Sequence, residues 1–195
     1  MNLSIRSSTR RLAIAAMCVA FAACSSKGNG SHASDRGAGL SVASLPAAQQ
    51  ASAYATALRS AFDVGPGLVL LVDPMLLPSE RDASATEKVP ADVVRRLDAS
   101  GVTQGTCQPH SGNGREPPIC SAQMAGYVVQ LSKIFRVARD TVQLYATAER
   151  YRPTSDTIHF ASPLHFEQRY LLARRGGGWE VVSQERLLTP KRGTA

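Results

Sequence analysis

The sequence predicts an α+β domain: a curved antiparallel sheet of about five strands with two helices packed on one face. Three observations carry this. Helical periodicity occurs twice in the first half, over 46–62 and again over 90–101. Between them lies a short unbroken apolar run at 67–72, bounded by turn formers. Most of 127–188 alternates apolar and polar residues with period two, the mark of strands with one buried face.

In the first helix Ala47, Ala51, Tyr54, Leu58, Ala61 and Phe62 recur at three- and four-residue spacing. Ser44 and Pro46 suit its start, and Gly65-Pro66 stops it. Tyr54, Leu58 and Phe62 form a core-facing stripe. The run Gly67-Leu-Val-Leu-Leu-Val72 suits a strand buried on both faces, or one whose outer face a helix covers. Asp73-Pro74 ends it. A carboxylate at the end of a buried strand is a place for chemistry, but Asp73 reads as an Asx-turn residue, since no partner for it is visible.

Residues 78–89 are polar and read as a loop. In the second helix Pro90 suits the first helical position, Asp92 the positive N-terminal end and Gly101 the C-terminal stop. Val93, Val94 and Leu97 are its buried face, with Arg95 and Arg96 solvated.

Further on, Tyr127, Val129, Leu131, Phe135 and Val137 alternate, with Lys133 interrupting the apolar set. Val142, Leu144, Ala146 and Ala148 then alternate against Thr141, Gln143, Tyr145, Thr147 and Glu149. After a loop over 152–164, a strand over 166–174 turns back at Gly176-Gly177-Gly178 into a second strand, 179–188, as a hairpin. Because that glycine run joins two strands and opens no helix, it is a turn and not a phosphate cradle.

The N-terminal segment sets the location. Arg6, Arg10 and Arg11 precede the apolar run Leu12–Cys24, which is shorter than the about 20 residues a membrane span needs. A basic start, a short apolar stretch and small residues at its end make a secretory signal. Residues 25–44 are rich in Ser, Gly and Ala and are expected to be flexible, with His32 solvated. The expected organisation is a signal peptide over 1–23, a tether over 24–45, one domain over 46–190 and a frayed tail over 191–195.

The end of the signal, Phe21-Ala22-Ala23-Cys24, resembles the lipobox of bacterial lipoproteins. The resemblance implies cleavage before Cys24, a diacylglyceryl group on its thiol and two or three acyl chains in all, enough for stable anchoring. Cys18 is discarded with the signal. Ser25 follows the cysteine where members kept at the inner membrane carry Asp, so the resemblance implies the periplasmic face of the outer membrane.

Removing 1–23 takes away three arginines and no acids, leaving 19 basic and 15 acidic residues, so the net charge falls from +7 to +4. That charge suits solubility with weak attraction to anionic headgroups. A nucleic-acid reader is disfavoured, because no basic stripe interleaved with aromatics is present.

Cys107 and Cys120 are the cysteines left besides Cys24, and in an exported chain such a pair points to a disulfide. It would close 14 residues and constrain the unfolded chain by about 3 kcal/mol. The rival reading is metal, through Cys107, His110 and Cys120, but a structural zinc site takes four ligands. No metal and no cofactor are expected.

His159 and His165, with Asp156 and Glu167 nearby, are the densest titratable group, from which a base and its orienting acid could be assembled. They read more simply as surface residues. No nucleophile elbow, HExxH or paired-carboxylate motif accompanies them. The element order, helices early and a strand meander late, is similar to NTF2-like and cystatin-like folds, whose members bind small apolar molecules or partners in the sheet's concavity, some being enzymes. The expected function is a lipid-anchored, non-enzymatic binding or assembly module. Its partners would be the membrane through the anchor, and a small apolar ligand or an envelope protein. The alternative is a small envelope enzyme with a pocket on the concave face.

Overall fold

A computed structural model describes residues 36–62, 69–78, 87–107, 126–154, 157–160 and 166–187. Among these residues two helices and eight strands form an α+β fold with a mixed, mostly antiparallel sheet. In chain order these are β1 (Ser41–Val42), α1 (Ala47–Ala61), β2 (Val69–Val72), α2 (Ala91–Ala99) and β3 (Gly126–Leu131). They are followed by β4 (Phe135–Ala138), β5 (Thr141–Thr154), β6 (Thr157–Phe160), β7 (Phe166–Arg175) and β8 (Gly178–Leu187).

The long strand β5 is the axis of the sheet. Along one edge it pairs with β3 and then β4; along the other it pairs with β7 and then β6. Outside these lie β2 on β3, β1 on β4 and β8 on β7. The sheet is thus five ranks wide, and because three of the ranks hold two strands end to end the described residues carry eight strands where about five were expected. The expectation of a purely antiparallel sheet needs one correction: β2 runs parallel to β3, with Val69 opposite Gly126 and Val72 opposite Val129. The α2 crossover between them permits that direction. Residues 104–107 extend this parallel edge, Gln104 and Cys107 donating backbone N–H groups to Leu70 and Val72.

Both helices cover one face. Tyr54, Leu58, Val93 and Leu97 pack against Leu70, Val72, Val129, Leu131, Leu144, Tyr170 and Leu172 in one apolar core. Trp179 borders it and donates its indole N–H to the Gln49 carbonyl, 3.1 Å away, pinning the start of α1 to β8. Each helix begins one residue after its proline, so Pro46 and Pro90 sit at the cap and not inside the first turn. At the end of α2, Gly101 adopts φ +71°, and Gly101 and Val102 return their N–H groups to Asp98 and Leu97. The β7–β8 hairpin turns through Gly176 and Gly177, both at positive φ, as the two-residue turn requires.

Ser132 is where one expected strand becomes two. Its backbone N–H donates to the Tyr145 carbonyl at 2.9 Å, and the Tyr145 N–H donates to the Ser132 Oγ at 2.8 Å. Its Oγ–H in turn donates to the Lys133 carbonyl, and its own carbonyl accepts the Tyr54 hydroxyl at 2.7 Å. The jog changes parity, so that Ile134 joins the helix-side core and Phe135 points to the opposite face. Lys133, taken in sequence as the interruption, instead pairs with Glu87 at 2.8 Å.

Candidate functional site

Among the described residues, the face of the sheet away from the helices holds a buried polar grouping of Arg36, Tyr145 and Glu167. Tyr145 and Glu167 alternate out of phase with the helix-side core residues of β5 and β7, so pleating alone aims them there. The chain segment before β1 lies across them as a strap. Gly37 and Leu40 close a turn, the Leu40 N–H donating to the Gly37 carbonyl at 2.9 Å. Gly37 sits at φ +72° on the Phe135 ring, where an added Cβ would fall 2.4 Å from a ring carbon. Glycine therefore meets a steric and a backbone demand at once.

The strap is held by charge and hydrogen bonds. Arg36 Nε donates to Glu167 Oε1 at 2.7 Å, and Arg36 Nη1 to the Pro78 carbonyl at 3.3 Å. Arg36 is only 7% exposed and Glu167 4%. The Tyr145 hydroxyl oxygen accepts the Gly37 N–H at 3.2 Å and the Gln143 amide at 2.8 Å. Phe135 meets Tyr145 edge-on at 6.3 Å, and together with Leu77 they form a second small core bordered by Leu40 and Leu187. Residues 36–45, expected within the tether, fold onto the sheet. Chemically, a buried carboxylate paired with a buried guanidinium fixes a chain segment on the sheet.

This bears on the titratable group singled out in the sequence. Glu167 is committed to Arg36. His159 lies in β6, in backbone register with Arg152, while Asp156 and His165 lie outside the described residues. So do Cys18, Cys24, His32, His110 and Cys120. Cys107 is 2% exposed at the end of the parallel edge. Among the described residues no group of three or more His, Cys, Asp or Glu side chains converges as a metal site. None of their helices is long and apolar enough to cross a membrane.

Asp73 follows β2 as expected and makes the Asx turn, its Oδ1 accepting the Met75 N–H at 2.9 Å. It is 9% exposed, and burial pushes its carboxyl above the usual range, the Met75 N–H opposing that only in part. A carboxyl whose folded pKa is raised holds its proton more tightly folded than unfolded. Stability therefore falls as pH rises from the ordinary aspartate value through the folded one, and the ionised form carries a cost above that window. Asp73→Asn keeps the acceptor for Met75 and removes the charge. Denaturant titrations from pH 3.5 to 7 are expected to find the variant at least as stable as the parent at neutral pH, with the two converging in acid. A variant weaker than the parent at pH 7 would show instead that the carboxylate is needed as an anion.

Arg36 is the residue that sequence reasoning missed. It lies in a Ser/Gly-rich stretch, and the available signal was the small cluster Leu40-Ser-Val42 inside that stretch. Comparison of the chain with protein-family models, with curated proteins and with solved structures finds no match.

Proposed function

We propose that this protein is a lipid-anchored module of the bacterial cell envelope that binds or assembles rather than catalyses. The observation that carries the reading is the apolar run ending in Ala22-Ala23-Cys24, with Arg36 already docked on the folded domain. Only residues 25–35 separate the two. Twelve peptide steps reach at most about 40 Å, so an acylated Cys24 would hold the domain close to its membrane. The commitment of Glu167 to Arg36, and of Asp73 Oδ1 to a turn, favours binding over acid–base chemistry. The partner at the outer membrane's periplasmic face would be an envelope protein or a small apolar ligand.

The test is the intact mass of protein expressed with its native N-terminus in a Gram-negative host. The expected mass is that of residues 24–195 plus acyl chains, less two hydrogens for a bridge between Cys107 and Cys120. Cys24→Ala is expected to release the protein from the membrane fraction. An unacylated chain cut elsewhere would make it a secreted protein without an anchor.

A further inference from the structure

We propose that the sheet end formed by the β4–β5 and β7–β8 turns is the surface that this domain rests on the anionic headgroups of its own membrane. The proposal rests on the anchored reading above and adds the orientation of the domain. The two turns are stitched side by side, the Arg174 N–H donating to the Asp140 carbonyl at 2.8 Å. This brings Arg136, Arg139, Arg174 and Arg175 to one end of the sheet. The acids facing them are Asp140 in the first turn and Glu180 across the second.

The arginines are free to meet a surface. Arg139, Arg174 and Arg175 are exposed, and Arg136 is half-buried with its Nη1 on the Arg139 carbonyl. Arg175 pairs with Glu180 only loosely, at 3.4 Å, with both side chains more than half exposed. Val137, 45% exposed, stands among them on the irregular part of β4. The start of α1, which has no acid in its first turn, is held to the same end by Trp179, the register partner of Arg174. Four guanidinium groups, a positive helix end and an apolar tip over two acids match an anionic lipid surface, where each Arg contributes about fivefold to binding. Nucleic acid is the poorer fit, because stacking wants an exposed ring beside the cations and the Trp179 ring is packed on the core. The twelve peptide steps from Arg36 to Cys24 can reach up to about 40 Å, enough for the anchor to insert with this end down.

The test uses the chain from Ser25 onward, which carries no acyl group and keeps every described residue. Co-sedimentation is measured with phosphatidylcholine vesicles, with and without one third phosphatidylglycerol. Binding is expected only to the anionic vesicles, weakening with salt. The combination Arg139→Ser, Arg174→Ser and Arg175→Ser is expected to weaken it about a hundredfold. Arg59→Ser, Arg95→Ser and Arg96→Ser remove the same charge from the helical layer and are expected to change it by no more than a few-fold. Arg139→Glu alone, one exposed turn residue, provides a second variant with a loss of tenfold or more. Equal binding to both vesicle types, no binding to either, or an equal loss from the helical-layer variant overturns the proposal. Failure of the anchor reading would show in the mass of the mature chain and not in this assay.

Discussion

Replacing Glu167 with Gln is expected to cost about 3–5 kcal/mol of folding stability, because it leaves the Arg36 guanidinium buried without a counter-charge. With Arg36 7% and Glu167 4% exposed, neither side chain can recover water without lifting the strap. The pair need not be strongly stabilising as a whole, since desolvation of both ions offsets much of their attraction. The effect lies in removing one partner only. Replacing both, as Arg36→Met with Glu167→Leu, is therefore expected to recover most of the loss. Urea unfolding of the parent, both single variants and the double variant reads the result, with the midpoint moving by roughly 2 M for Glu167→Gln. A single-variant cost below about 0.5 kcal/mol would mean that the strap leaves the sheet easily and that Arg36 is solvated in solution.

Gly126→Ala is expected to be worse still, with a loss above about 4 kcal/mol or no soluble protein. A Cβ at Gly126 would fall 2.1 Å from the Val69 carbonyl oxygen and 2.9 Å from the Val69 carbonyl carbon. The obstacle is backbone, so no side chain can swing aside. Either β2 separates from β3 or the start of the parallel pair shifts. Leu70 and Val72, fully buried in the core, move with it. Gly178→Ala is the matched control, because its Cβ would approach nothing closer than the Arg175 carbonyl oxygen at 3.9 Å. Circular dichroism and thermal unfolding of the two variants are expected to separate them clearly. A well-folded Gly126→Ala protein would show that β2 does not pair with β3 in this register.

The helices were legible in the sequence because their apolar residues follow a helical period and their ends carry proline and glycine. Observed and expected bounds agree to within two residues at each end. The β7–β8 hairpin was legible for a similar reason, since two consecutive glycines at positive φ leave little choice of turn. The direction of β2 was not. An unbroken apolar run reports burial on both faces, and a parallel strand and a central antiparallel strand read alike on that evidence. The split at Ser132 was hidden as well. Alternation across Leu131 and Phe135 looks continuous, and only the tertiary bonds to Tyr54 and Tyr145 reveal the jog.

The strap was the largest omission, and its cause is physical. Composition measures how much surface a segment can bury by itself, whereas Arg36 and Gly37 are ordered by a carboxylate and a ring supplied from elsewhere. At the candidate site this had a direct effect. Glu167 was grouped with His159 and His165 by proximity in sequence, and its partner lies far away along the chain.

That separation also sets an order of events. Arg36 and Glu167 are 131 positions apart, so a growing chain exposes the guanidinium long before its carboxylate exists. The strap can dock only after β5 and β7 have paired, and closing so long a loop is slow compared with forming the hairpins. The bond between Arg36 and Glu167 therefore forms late, after the sheet that supplies its carboxylate.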